Sequence, residues 1–320
     1  MSSIELLPAS ADDIERMCAL LRRAEAHDRV PRVMLVDEMR EEMETDNVDM
    51  ATDVRLAVVD GQLAGYVHTF HLPSDVRIER CYIFGTVDPA WRDRGVGRTM
   101  LSWGKDRAAE QLRTSTNSLP KYIRVDSYDY IESAHRLYAR MGFTPVRWFE
   151  ELLRPLTDLP PRRQVDGIDI VPWPDDRDEE ARQMKNVAFD DHWGSAPTSP
   201  ENWHVNVRGF GARPDLSFVA IEQGSGRIVA VCVNHRYEAD DDLIGRRDGW
   251  IETLGTLAEW RGKGLASALI VESLHQFAAA DLTHASIGVD GDSPTGAARL
   301  YRALGFEPRQ RSITSEIQLS

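Results

Sequence analysis

Apolar and polar positions along the chain fall into short β-like runs, turn signals and helical stripes, in an order that occurs twice. Each copy opens with a brief apolar run, Ile4 to Leu7 and Ile168 to Val171, followed by helical stretches, the first introduced by Ser10 ahead of acidic residues. A hairpin comes next. Val54 to Val59 and Leu63 to Phe70 flank Asp60-Gly61, and Leu216 to Ile221 and Arg227 to Tyr237 flank a Gly-Ser-Gly turn ending at Gly226. A third strand then runs into a glycine-containing segment and a helix. In the second copy Ala266, Ile270, Leu274 and Phe277 recur at i, i+4, i+8 and i+11, which predicts one buried helical face. A further β-run (Tyr122 to Asp126; Ala285 to Asp290), a second helix and a terminal strand complete each copy. Hairpins joined to a strand–helix–strand unit predict an α/β (α+β) domain with a mixed, mostly antiparallel sheet flanked by helices.

The repeat is also visible residue by residue. Arg136 to Phe143 (RLYARMGF) returns as Arg299 to Phe306 (RLYRALGF), with five of eight positions identical. Trp91 to Gly97 (WRDRGVG) returns as Trp260 to Ala266 (WRGKGLA) in the same order. Two matches in register at nearly one offset point to duplication. The Pro-rich stretch after Pro155 reads as a semi-rigid connector. The expected organisation is therefore a first domain over 1–157, a linker over 158–165 and a second domain over 166–320.

Composition narrows the function. A chain of 320 residues with 42% apolar and 28% charged positions suits two globular domains. The net charge of -14 disfavours nucleic acid and suits a small cationic substrate. The sequence lacks a membrane-length apolar run and a basic-then-apolar leader, and its three cysteines (Cys18, Cys81, Cys232) are far apart, so a soluble, reduced, cytoplasmic protein is expected. His68 and His71 do not make a metal site without further ligands, and no metal is expected.

The segments Arg92-x-x-Gly95-x-Gly97 and Arg261-x-x-Gly264-x-Ala266 each join a strand to the start of a helix. Small residues there admit a ligand to the backbone, and the first helical N–H groups together with the helix dipole suit an anion such as pyrophosphate. Side chains of Arg92, Arg94, Arg261 and Lys263 are placed to add charge-assisted bonds. Neither copy has the Gly-Lys-Ser/Thr of a P-loop, and Met100 stands where a dinucleotide fingerprint needs a small residue.

On these residues, with Val87 to Gly97, Gly255 to Ala266 and Val289 to Tyr301 as the matching stretches, the chain resembles the GNAT N-acetyltransferase superfamily, present twice. Its layout is similar to that of tandem members such as mycothiol synthase. The resemblance implies acetyl-CoA as cosubstrate. The backbone around Leu257 would meet the pantetheine arm, and Arg261, Gly262, Lys263, Gly264, Leu265, Ala266 and Ser267 would cradle the pyrophosphate. Val87, Arg92, Arg94, Gly95, Val96, Gly97 and Arg98 would do so in the first copy. Ser293 replaces the family's usual Asn, and the first copy departs further over Asp129 to Ala134.

Amine acetylation needs a proton acceptor, a polarised carbonyl and a donor for the leaving thiolate. By the resemblance, Tyr301 (Tyr138 in the first copy) takes the donor role, although Ala297, Leu300, Tyr301 and Leu304 also make a core-like stripe. Glu252 is the candidate base. Aligning the copies through Gly85 or through the arginines sets Tyr82 or Ile83 opposite it, neither of them an acid, so the second domain is the expected catalyst. Asp191, His192, Trp193 and Trp203 lie where the family's acceptor pocket forms, and the tryptophans read equally as packing. The expectation is an acetyl-CoA-dependent N-acetyltransferase acting on the primary amine of a small metabolite or antibiotic-like acceptor, as monomer or homodimer. The alternatives are mycothiol-synthase-like acetylation of a cysteinyl amine and a non-catalytic acyl-CoA-binding sensor or scaffold.

Overall fold

A computed structural model describes residues 3–190, 195–291 and 296–319. The chain forms two compact units, Met1–Trp148 with Ser312–Ser320, and Phe149–Arg311.

The first unit contains β1 (Ile4–Pro8), α1 (Ile14–Asp28), α2 (Val36–Met43), α3 (Met50–Asp53), β2 (Val54–Val59), β3 (Gln62–Leu72), β4 (Glu79–Val87), α4 (Val96–Thr114), β5 (Lys121–Tyr128) and α5 (Glu132–Arg140). At the entry to α1, the Ser10 amide donates to the Asp13 carboxylate at 2.8 Å. Ile14, Met17, Cys18 and Ala24 then make the buried stripe. Asp60 and Gly61 both take positive φ, the geometry that suits a tight hairpin, so β2 and β3 pair across them. Strands β1 to β4 pair antiparallel in sequence, β4 pairs parallel with β5, and residues 312–319 pair antiparallel with β5. Helix α4 packs Met100, Leu101 and Leu112 on Val67, Cys81 and Ile83. Helices α1 and α2 bury Ile14, Met17 and Met39 with Leu56 and Tyr66 on the other face.

The second unit repeats the plan. Its elements are β6 (Thr144–Pro155, from Phe149 onward), β7 (Ile168–Pro172), α6 (Asp178–Ala188), α7 (Pro200–Arg208), β8 (Phe218–Glu222), β9 (Ile228–His235), α8 (Asp241–Ile244), β10 (Asp248–Thr256), α9 (Leu265–Ala279), β11 (His284–Asp290), α10 (Ala297–Ala303) and the start of β12 (Glu307–Leu319). Strands β7 to β10 are antiparallel in sequence, β10 runs parallel to β11, and residues 149–155 of β6 pair antiparallel with β11. Helix α9 is buried nearly all round: Ile270, Leu274 and Phe277 are in the core as expected, but so are Leu269 and Val271. Ala266 is only half-buried and lines a cavity.

These units differ from the sequence repeat in their final strands. The strand after α5 belongs, from Phe149 onward, to the second unit, and the chain's last strand completes the first. Residues 158–165 are also part of the second unit, where His275 of α9 bonds the Pro160 carbonyl at 2.9 Å and Arg162 pairs with Glu272 at 2.8 Å.

Candidate active site

In each unit the parallel pair opens into a fork. Strand β4 meets β5 only over Glu79 to Tyr82, and β10 meets β11 only over Asp248 to Ile251. Beyond those pairs the facing edges have no strand partner among the described residues, and a cavity fills each gap, about 690 Å³ in the first unit and about 640 Å³ in the second. The start of a long helix closes each fork. Gly95 and Gly264, the residues before α4 and α9, have φ of 91° and 84° and supply no capping side chain. The first N–H groups of both helices therefore stay available to an anion. Gly262 and Gly264 take left-handed φ with nothing within 4 Å of where a Cβ would stand. In the first unit the position of Gly262 is taken by Asp93, a non-glycine residue at φ 61° whose carboxylate adds negative charge to the loop.

The motif arginines Arg92 and Arg261 line their cavities and also hold structural bonds. Arg92 grips Asp28, the last residue of α1, with two bonds of 2.6 and 2.8 Å, and reaches the Val87 carbonyl at 3.3 Å. Arg261 donates to the carbonyl of Ala188, the last residue of α6, at 2.6 Å and to the Thr256 carbonyl at 3.2 Å. Both guanidinium groups thus brace a strand end against a helix C-terminus, where the dipole favours a cation. Arg94 lies over Trp91 at 5.1 Å and Lys263 over Trp260 at 4.3 Å; both are exposed, and neither lines its cavity.

The two forks differ in the register of one strand. Strand β4 keeps an unbroken register with β3, whereas β10 shifts register against β9 between Ile251 and Thr253. Cys81 and Ile83 face α4, through the Cys81 bond to Gln111 and the contact of Ile83 at Gly104. Gly249 faces Phe277 of α9, and Ile251 is buried with that helix in the second core. Ile83 therefore matches Ile251, and Phe84 matches Thr253. Glu252 is the extra residue of a β-bulge, with no counterpart in the first unit. This replaces both sequence alignments, which set Tyr82 or Ile83 opposite it. The bulge leaves Glu252 lining the cavity, and its carboxylate accepts an exposed 2.6 Å hydrogen bond from the Trp250 indole.

Tyr301 lines the same cavity. It is 6% exposed, packs beside Phe306 and has no hydrogen-bond partner for its hydroxyl among the described residues, and burial pushes its phenol well above the ordinary value. Tyr138 lines the first cavity, but its hydroxyl donates to the Asp126 carbonyl at 3.3 Å.

Of the other sequence candidates, Gly262, Gly264, Leu265, Ala266 and Ser267 line the second cavity. Val87, Arg92, Gly95, Gly97 and Arg98 line the first; Val96 is buried beside it. Leu257 belongs to the core, and its N–H bonds the Val229 carbonyl at 3.0 Å, while the preceding Gly255 and Thr256 line the cavity. Trp203 is likewise core: it is 2% exposed, with its indole N–H on the Asp178 carbonyl at 2.9 Å. Asp191, His192, Trp193 and Ser293 lie outside the described residues. Phe189, absent from the sequence candidates, lines the cavity and packs so closely on Gly255 that a Cβ there would stand 2.9 Å from its ring. No local pattern marks it, since its role depends on the missing side chain 66 positions away on another element. Among the described residues no group of three or more His, Cys, Asp or Glu is arranged to hold a metal, and no helix is long and apolar enough to cross a membrane.

Comparison with known proteins agrees with this architecture. The second half matches the acetyltransferase (GNAT) family over residues 177–306, and the first matches the acetyltransferase (GNAT) domain over residues 52–145. The chain belongs to the GNAT acetyltransferases. It is a tandem member and an acyltransferase. It resembles a mycothiol acetyltransferase of Tsukamurella paurometabola, 28% identical over 232 residues, 71% of this chain and 75% of that one. It also resembles a mycothiol acetyltransferase of Frankia alni, 28% identical and covering 95% of this chain and 91% of the relative. In fold it is similar to a GCN5-related N-acetyltransferase from Sphaerobacter thermophilus (TM-score 0.75, 23% identity, 98% and 95% of the two chains). A tandem GNAT protein from the clavulanic acid biosynthesis pathway is also similar (TM-score 0.71, 18% identity, 99% and 98%).

Proposed function

We propose that the chain is an acetyl-CoA-dependent N-acetyltransferase that acylates the primary amine of a small acceptor, with the chemistry in the second unit. The observation that carries this reading is the bulge in β10. It brings a carboxylate to a cavity that also holds the buried Tyr301 and an uncapped helix start.

The residues present fit the cosubstrate. The fork offers a slot between parted strands, the glycine loop leaves room against the backbone, and the α9 N–H groups suit a pyrophosphate. Acetyl-CoA, when bound, supplies the activated acyl group. Glu252 then accepts the proton that an ammonium must lose to become a nucleophile. The unpaired backbone edge of β10 polarises the carbonyl, as fixed N–H donors do in a low-dielectric site. The Tyr301 hydroxyl, held protonated by burial, delivers a proton to the leaving thiolate. Arg261 keeps the end of α6 against the loop, so the acceptor side and the cofactor side share one brace.

A second acceptor reading, a cysteinyl amine, is favoured by the name that the T. paurometabola and F. alni relatives carry. The net charge of -14 suits a cationic acceptor of either kind. The test begins with calorimetric titration of acetyl-CoA into the full chain. Transfer to a panel of small primary amines, S-methyl-L-cysteinamide among them, follows. Binding at the second cavity with turnover supports the reading. Binding without turnover on any amine favours a sensor or scaffold, and absence of binding overturns the acetyltransferase assignment of this cavity.

A further inference from the structure

Trp250 lies two residues before Glu252 on β10, and its backbone pairs with His235 on one side and Ser286 on the other. Gly288, the first residue of β11 beyond the last position paired with β10, has the Trp250 ring 3.9 Å from where its Cβ would stand. A Cβ there would be in ordinary van der Waals contact with the indole, so the ring sits beside the vertex of the fork. An indole has a single donor, and this one is directed to the Glu252 carboxylate at 2.6 Å, in the short range of charge-assisted bonds. A flexible glutamate on an exposed bulge has several rotamers; one short bond to a ring seated on two strands selects among them. The matching residue of the first unit, one before Ile83, is Tyr82, which stacks on Phe84 at 5.8 Å and has no carboxylate to hold.

We infer that Trp250 is a positioning residue for the proton acceptor of the second unit, fixing the Glu252 carboxylate toward the incoming amine. The inference rests on the acetyltransferase reading of that cavity. It requires that loss of the indole donor harm acceptors that must be deprotonated and spare those that arrive neutral.

The experiment uses the full chain and the conservative variants Trp250→Phe and Glu252→Gln, singly and together. In ¹H–¹⁵N spectra the indole signal lost in Trp250→Phe is expected to move upfield in Glu252→Gln, where the charged acceptor is gone. An unmoved signal overturns the hydrogen bond. Transfer from acetyl-CoA is then measured with S-methyl-L-cysteinamide and with hydroxylamine, which is largely neutral at assay pH. Trp250→Phe is expected to lower transfer to the cysteinamide roughly tenfold with the acetyl-CoA KM unchanged, to leave hydroxylamine within about twofold, and to add little on top of Glu252→Gln. Equal losses with both nucleophiles, or additive losses in the double variant, would mean a merely structural ring. No turnover by the unaltered chain would overturn the acetyltransferase reading itself and the positioning role with it, a failure told apart by an indole signal that still responds to Glu252→Gln.

Discussion

The two units present the same fork to the same kind of helix start, and their cavities are of nearly equal size. They differ in how the strand beside the fork is built. Against β3, β4 runs without interruption; against β9, β10 gains one residue, and that residue is the glutamate. Tyr138 has its hydroxyl tied to a carbonyl, whereas the Tyr301 hydroxyl has no partner among the described residues. The glycine loop carries Asp93 in one unit and Gly262 in the other. The fork and the uncapped helix start are thus common to both halves, while the bulge carboxylate, which the proposed function takes as proton acceptor, occurs in one. A duplicated fold can keep the slot and vary the chemistry through single positions that leave the core untouched.

The sharpest way to break the comparison is to give β10 the unbroken register of β4. Deletion of Glu252 removes the bulge and the carboxylate together, and turnover is expected to fall on the order of 1000-fold with acetyl-CoA affinity within a few-fold. Tyr301→Phe is expected to reduce turnover less, roughly 100-fold, and Tyr138→Phe to leave it nearly unchanged. Steady-state kinetics on the three variants checks the ranking. A Tyr138→Phe loss comparable to that of Tyr301→Phe would move the chemistry to the first unit.

Cofactor sites are separated by Gly264→Glu and Gly95→Glu. Each places a side chain at a left-handed position and a negative charge at a helix start. Gly264→Glu is expected to weaken binding at the second cavity on the order of 100-fold and to leave any binding at the first intact, read as a drop in calorimetric stoichiometry or its absence.

Most of the fold was legible in the sequence because its signals are local. Asp60-Gly61 can hardly be other than a tight turn, and α9 announces itself by its length and apolar density. The bulge was not legible: a one-residue insertion in a strand leaves the alternation on each side intact, so the two sequence alignments straddled it without revealing it. Nor was the pairing of the terminal strands. In a duplicated chain both final strands carry similar patterns, and either can complete either sheet edge, so the choice depends on the tertiary structure rather than on the pattern. The structural bonds of the motif arginines were not legible for a related reason. A guanidinium beside a glycine loop reads as a phosphate ligand, and its bonds to the Asp28 carboxylate and the Ala188 carbonyl emerge only when those helix ends are known to be adjacent.

Stability separates the units through histidine. His68 on β3 is 7% exposed, its Nδ1 has no partner among the described residues, and burial lowers its pKa to about 4. His235 on β9, also buried, bonds Tyr237 at 3.0 Å and the Asn206 carbonyl at 2.7 Å. Because the folded His68 binds a proton less readily than the unfolded one, the unfolded state takes up more protons as pH falls below the ordinary value near 6.5. Stability is expected to drop by about 2 kcal/mol between roughly pH 7.5 and pH 5 from this group alone. Denaturant titrations of the unaltered chain and His68→Leu across that range check the sign. A slope unchanged by the substitution would mean that His68 does not carry the acid sensitivity.

The smallest expected effect is the most direct comparison of the two loops. Asp93 holds φ 61°, a conformation that glycine adopts freely and an aspartate tolerates at some cost, and it stands one residue after the arginine that braces the loop. Its charge opposes any anion drawn to the start of α4. Asp93→Gly removes both the strain and the repulsion, at the expense of a more flexible unfolded chain, so its effect on stability should be slight and its effect on affinity visible. Acetyl-CoA binding at the first cavity is expected to tighten roughly threefold, since a charge near a helix terminus is worth about 0.3–1 kcal/mol. Gly262→Asp in the second unit should weaken binding there by a similar factor. If both substitutions leave affinity unchanged, the loop charge does not distinguish the cavities, and the difference between the units reduces to Glu252 and the tyrosine hydroxyl.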